Sequence, residues 1–523
     1  MTSEKIIFTI DDLYRTLKKH DTDILKHFCD SKLSDNEYFA YAIQSDIMSN
    51  ALVILINMFM NNLESAGVDN CCRTLIESFV ILKMDALGDI SDEQKSIFRY
   101  LYAYVDYDNN KSLLDDEVKK SKWYKIAQAD KDRAKEKVLN YFKCTDKELK
   151  QHYAAIDDPC FYLKKNLNDD VRFSTLLEKY PIAVDSYLKM YELFSLFIHP
   201  NCELDKKAYK SIMELRKKHI DILINYVVEY LKACKLIIKD ESLATFKQDF
   251  YENPILINNV NNIREVDKAF QYLDDNFCSL KNGYDYFTWH FLTRTKALVI
   301  DMMISLSLGY KEHVISLFKP FIENMSVFYV IGSCDNLNSF NCIKRGYWCS
   351  SRMQIELHLK NIAPIESSIP EDVIKELYDA FYKEKYNLSS CDQFKEEMAR
   401  NSLYPINPSK KNYSKIVKEY IDNVFKKEES ISVKHLYKVA KDISHASGYS
   451  FNANEGMIDV SCQKVMIVTW KSLINFVAYA HMTLLEHDEK SKIEFIIQLF
   501  KQLLDMNNDG LKQVFESYDD GNN

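Results

Sequence analysis

Glycine and proline are scarce, with 10 and 9 copies in 523 residues, roughly 2% each against the usual ~7% and ~5%. Strands joined by tight turns need residues that accept positive φ or preset a turn. Their scarcity excludes a turn-rich β architecture and predicts an all-α chain. The 13 cysteines (28, 71, 72, 144, 160, 202, 234, 278, 334, 342, 349, 391 and 462) contain no Cys-x2-Cys pair, which removes the zinc-ribbon and dithiol-redox readings. Free, buried thiols in a reducing cytosol are the expectation. No Gly-x-Gly-x-x-Gly, Walker loop, His-Glu-x-x-His or Gly-x-Ser-x-Gly occurs, so nucleotide cofactors, zinc proteolysis and serine hydrolysis lack their residues and no cofactor is expected.

Long apolar runs are missing too. "ALVILINMFM" at 51–60 carries Asn57 and is too short to cross a bilayer, and "MTSEKIIFTI" lacks the order of a secretory signal. A soluble, cytoplasmic protein without a membrane partner is expected. A formal charge of -9 offers no global attraction to nucleic acid. The surplus of Asn, Lys, Ile and Tyr reads as low-GC microbial coding.

What the sequence does hold is an internal repeat. Displaced by 246 positions, "ALVI" at 51–54 falls on "ALVI" at 297–300. In the same register Val68 meets Val314, Arg73 meets Lys319, Glu77 meets Glu323, Arg99 meets Arg345, Tyr191 meets Tyr437 and His199 meets His445. Beyond the histidine the displacement is 250, and "LINYV" at 223–227 lies over "LINFV" at 473–477. The pattern predicts tandem duplicated helical-bundle domains. Residues 1–30 form an N-terminal helical extension with Thr9 or Asp11 as a cap, 31–245 the first copy, and 246–280 a connector and linking helix. Residues 281–487 form the second copy, and 488–523 a C-terminal amphipathic helix and tail. At this length each copy is expected to bury its own core.

Polar residues retained in both copies are the informative subset, because core residues also recur after duplication. Arg73 and Glu77 stand i and i+4 on one helix face, as do Lys319 and Glu323. His199 and His445 each fall at an expected helix end, marked by Pro200 and Gly448, where the helix dipole favours imidazolium and acid/base work near neutral pH. Tyr191 and Tyr437 lie two turns earlier on the same face. With Asn225 and Asn475 from the closing helices they compose a candidate polar pocket: His199, His445, Glu77, Glu323, Arg73 and Lys319 as catalytic candidates, and Tyr191, Tyr437, Asn225 and Asn475 as binding candidates. The competing reading is that the same groups are surface ion pairs, helix caps and satisfied core residues.

An Arg-x3-Glu on an apolar helix followed by Tyr-x3-Ser-x3-His-Pro, here Arg73, Glu77, Tyr191, Ser195, His199 and Pro200, resembles the bacterial domain-of-unknown-function family numbered 5677. The second copy departs from it with Lys319 for the Arg, Lys441 for the Ser and Ala446 for the Pro. The resemblance implies a helical fold and no established chemistry. More loosely, the chain is similar to the HEPN helical domains of prokaryotic defence systems, which cut RNA without metal through an Arg four to six residues before a His. That Arg is missing here, so Arg73 and Lys319 would have to supply the cation from another helix.

"DMNNDGLKQVFE" at 505–516 satisfies the spacing of a calcium loop, with Asp505, Asn507, Asp509 and Glu516 as oxygen ligands and Gly510 at the turn. Only seven residues follow, too few for an exiting helix, and an Asp/Asn-rich interhelical cap is the plainer expectation. Basic stretches such as "KKAYKSIMELRKKH" mix with acids and read as solvated faces. Two functions from different classes follow. One is a defence-type, metal-independent ribonuclease with the histidines as acid/base and Arg73 and Lys319 on phosphate. The other is a helical binding or scaffold protein whose polar clusters are structural. The expected partner is RNA or another protein.

Overall fold

A computed structural model describes residues 9–30, 33–110, 122–154, 161, 163–180, 187–198, 206–249, 254–277, 286–334, 337–359, 369–407, 412–443, 455–484 and 490–520. They form 19 helices and no strand. In order these are α1 (Ile10–Asp30), α2 (Asp35–Phe59), α3 (Ala66–Ala86), α4 (Asp92–Asn110), α5 (Lys122–Phe142), α6 (Asp146–Ala154), α7 (Phe173–Lys179), α8 (Tyr187–Ile198), α9 (Lys206–Ala233), α10 (Pro254–Phe277), α11 (Tyr286–Ser307), α12 (Lys311–Gly332) and α13 (Leu337–Leu359). There follow α14 (Glu371–Leu377, continued by a π turn at Tyr378–Tyr382), α15 (Cys391–Arg400), α16 (Tyr413–Val424), α17 (Lys427–Ile443), α18 (Glu455–Leu484) and α19 (Lys490–Asp520). The scarcity of Gly and Pro thus has the consequence expected of it.

Helix starts are written locally. Ser34 and Glu37 close a capping box at α2, Thr145 and Glu148 repeat it at α6, and Thr9 caps α1 by accepting from the Asp12 amide at 3.1 Å. Each side-chain oxygen satisfies an amide that the helix cannot. The segment read as a connector differs from expectation. α10 begins at Pro254 and takes in most of it, since proline at the first helical position gives up only an amide that has no partner there. α10 packs on α11 as α1 packs on α2.

Two helices form the centre. Every residue of α3 from Ala66 to Ile81 is buried, as is every residue of α12 from Val314 to Val327. α3 packs on α2, α7, α8, α11 and α12, and α12 on α11, α13, α16, α17 and α18. The halves interlock reciprocally, α4 against α17 and α13 against α8. One apolar cluster runs from Leu13 to Leu503 through both halves, so the interior does not divide into two separate cores at residue 246. The physical reason is that α3 and α12 each need apolar cover on all sides, and each supplies part of the other's. α2 and α12 are apolar and long enough to cross a membrane, but they are mostly buried inside the bundle. The nine described cysteines are free thiols.

The seam between the halves is polar at one point. Asp301 on α11 is fully buried. It accepts from Asn57 Nδ2 at 3.1 Å and Ser65 Oγ at 2.6 Å, both in the first half, and from Ser305 Oγ at 3.3 Å. His313 Nε2 lies 3.2 Å from the same carboxylate, and His313 Nδ1 is 3.5 Å from Cys71 Sγ. Burial pushes the Cys71 thiol well above its usual range, so it is a protonated packing group and no nucleophile. Gly67 permits this close approach. A Cβ there would stand 2.2 Å from Leu317 Cδ2 and 2.4 Å from the Asp301 carboxylate.

Two outcomes follow from the seam. Gly67→Ala forces α3 away from α11 and α12, with a loss of ~1–3 kcal/mol read as a lower denaturation midpoint. Burial alone would raise the Asp301 pKa, but the His313 charge and hydrogen bonds from His313, Ser65 and Asn57 outweigh it and hold the carboxyl below its ordinary value. Its stabilising contribution is therefore complete above pH ~4 and is lost as pH falls through the lower folded value. Asp301→Asn is expected to cost ~3–5 kcal/mol at neutral pH and to flatten that part of the acid-unfolding curve.

Candidate functional site

The buried face of α3 carries Asp69, Asn70, Arg73, Thr74, Glu77 and Ser78. That of α12 carries Ser316, Lys319, Glu323, Asn324 and Ser326. An apolar helix with a polar stripe usually turns the stripe to water. Here the stripes face inward, and their groups must be satisfied by neighbours.

The neighbours are the two tyrosines. Tyr191 on α8 donates its hydroxyl to Glu77 Oε1 at 3.0 Å, and Tyr437 on α17 donates to Glu323 Oε1 at 2.8 Å. Both pairs span 114 residues of chain, and both glutamates are essentially without exposed surface. Arg73 Nε lies 3.6 Å from Glu77 Oε1, while Lys319 is buried one turn before Glu323. The structure therefore brings Arg73, Glu77 and Tyr191 together, and Glu323 with Tyr437.

Other candidates fall elsewhere. Asn225 and Asn475 are exposed and belong to neither cluster. Leu223 and Val227 on α9, and Leu473 and Val477 on α18, are fully buried, and residues two positions apart lie roughly 200° apart on a helix. His199 and His445 lie outside the described residues, as do Pro200 and Gly448. α8 is described to Ile198 and α17 to Ile443.

The calcium-loop reading is corrected. Residues 505–516 lie inside α19, a continuous helix of 31 residues, and a helix cannot fold its own side chains round an ion. Asn507 instead accepts from Trp470 Nε1 at 2.9 Å and donates to Gln463 Oε1 at 3.1 Å, while Asp509 pairs with Lys512. Asp505 and Glu516 stand on the exposed side. Among the described residues, no group of three His, Cys, Asp or Glu side chains is placed to hold a metal.

Sequence reasoning missed three charged residues. Arg216, inside a stretch read as a solvated face, is buried and grips Asp69 with both Nε, at 2.9 Å, and Nη2. Its guanidinium also lies 5.2 Å from the Phe197 ring. Arg294 on α11 is 6% exposed and donates from Nη2 to the carbonyls of Phe197 and Ile198, the last turn of α8, at 2.8 and 2.5 Å. Asp301 was visible as a charge inside the apolar run "ALVIDMMISL". No such signal marks Arg216 or Arg294, whose burial depends on partners more than ninety positions away.

No protein-family model matches this chain, and no curated protein and no solved structure matches it.

Tyr191→Phe and Tyr437→Phe each remove a donor from a buried glutamate while keeping the ring. Each is expected to cost ~1–3 kcal/mol, measured by urea denaturation, and an exposed tyrosine treated the same way should cost nothing measurable.

Proposed function

We propose that this protein is a non-catalytic helical binding scaffold of a reducing cytosol, built from two duplicated halves, and that its Tyr–Glu clusters fix the register of α8 against α3 and of α17 against α12. The observation that carries the reading is the burial of Glu77 and Glu323. A group meant to act on an RNA phosphate must meet solvent or a cleft, whereas these carboxylates meet a tyrosine hydroxyl and a packed helix face. Buried polar networks of this kind specify one packing among several apolar alternatives. The acidic balance of the chain, 77 Asp and Glu against 68 Lys and Arg, favours a protein partner over a polyanion.

The ribonuclease reading, with His199 and His445 as acid and base, is the alternative outcome of one experiment. Purified protein is incubated with single-stranded RNA in the presence of EDTA, beside a His199→Ala, His445→Ala variant whose helix content and melting midpoint match the parent. The scaffold reading expects intact RNA with both proteins. Cleavage by the parent that the folded double variant has lost would overturn it.

A further inference from the structure

The last helix changes character part-way along. Up to Leu503, α19 sets Ile493, Ile496, Leu499, Phe500 and Leu503 into the interior, with the Phe500 ring against Trp470 of α18 and Phe270 of α10. From Leu504 to Glu516 no residue is fully buried, yet the segment still carries Leu504, Met506, Leu511, Val514 and Phe515. One of its faces meets α18. Asn507 bonds there to Trp470 and Gln463, and Gly510 lies beside Gln463.

Two stripes run along the rest of the segment. Leu504, Asn508, Leu511 and Phe515 follow the alternating four- and three-residue spacing of a coiled-coil seam, and all four are half-buried. At roughly 100° per residue this seam lies about a quarter-turn from the face that meets α18. Beside it Lys501, Asp505, Asp509, Lys512 and Glu516 form an exposed charged stripe. An open groove of about 540 Å³ follows the two stripes, lined by Asp505, Asn508, Asp509, Leu511, Lys512 and Phe515. Asp509 and Lys512 pair at 3.1 Å, but at 67% and 71% exposure such a pair adds little to the stability of the monomer.

The charges of this stripe complement their own reversed order. Laid antiparallel on a copy of itself, the stripe sets Lys501 opposite Glu516 and Asp505 opposite Lys512. We infer that residues 504–516 of α19 are a docking surface for the same segment of a second molecule of this chain, the two helices packing antiparallel about a twofold axis beside Asn508. The axis makes every contact twice, so four ion pairs flank a seam in which Leu504, Leu511 and Phe515 lose their remaining exposed surface. Asn508, the one polar residue of the seam, meets its own counterpart near the axis and fixes the register, as a single buried Asn does in coiled coils. A parallel pairing would set Asp505 beside Asp505 and Lys512 beside Lys512, and juxtaposed like charges are repelled. The surface does not involve the Tyr–Glu clusters and does not rest on the scaffold reading.

The test uses the full-length chain in sedimentation equilibrium over roughly 1–100 μM, beside Asp505→Lys, Lys512→Asp and the double variant that carries both. The two positions are exposed, so all four proteins are expected to share one circular dichroism spectrum and one melting midpoint. The parent is expected to pass from monomer to dimer mass within the range. Each single variant places like charges together at two symmetric points and should raise the dissociation constant by roughly tenfold or more. The double variant restores opposite charges and should dimerise as the parent does, and the two single variants should pair with each other when mixed. A parent that stays monomeric throughout would overturn the proposal. So would a dimer that neither single variant weakens, as would be seen if another surface or a parallel pairing were used.

Discussion

A carboxylate with no exposed surface has to be answered from every side, and Asp301 is answered by both halves of the chain. Asn57 reaches it from the last turn of α2, Ser65 from the N-cap of α3, Ser305 from its own helix and His313 from the start of α12. Transfer of an unpaired carboxylate into such a place is prohibitively costly. The four donors must therefore arrive together, and their arrival fixes where α3 lies against α11 and α12. Gly67 is the steric counterpart of the same contact, since only a residue without a side chain leaves room for the carboxylate and Leu317.

From that seam the burial of α3 and α12 follows, and from their burial follows the chemistry of their polar stripes. Asp69, Arg73 and Glu77 have no water to turn to, and neither has Glu323. They are served by Arg216, Tyr191 and Tyr437, from helices laid over them by apolar packing. The recurring spacing of 114 residues between each glutamate and its tyrosine makes the two arrangements alike in kind. They differ in the cation, an arginine in one half and a lysine in the other. The carboxyl end of α8 in the first half is held by Arg294 of the second half.

The helical class was legible because it depends on composition, and the Tyr–Glu pairs because polar residues that recur at one displacement had a counterpart for comparison. Tyr191 with Glu77 and Tyr437 with Glu323 were grouped by that comparison, and both pairs are in contact. Asn225 and Asn475 align too, at a displacement of 250, yet lie on the surface, so an alignment of polar residues leaves their facing to the neighbouring residues. The 505–516 pattern failed because ligand types at loop spacing do not make a loop. Leu503, Leu504, Leu511 and Val514 continue a helical period through it, and a glycine inside a helix costs only about 1 kcal/mol. Arg294 and Arg216 were illegible for a different reason, since a buried charge on a polar-looking helix shows itself only when the distant partner is in place.

The large apolar cluster that both halves share has a consequence for synthesis. α3 is complete as a segment at residue 86, but α12, which covers part of it, is complete only at residue 332. At roughly 5–20 residues per second the ribosome needs on the order of 10–50 s to make the intervening chain. Throughout that interval the inner face of α3, with its buried-to-be glutamate, arginine and thiols, has no second half to meet. Exposed apolar surface on an unfinished chain is prone to aggregation, and any slowing of translation between α3 and α12 lengthens the time in which that surface is open to the wrong neighbour.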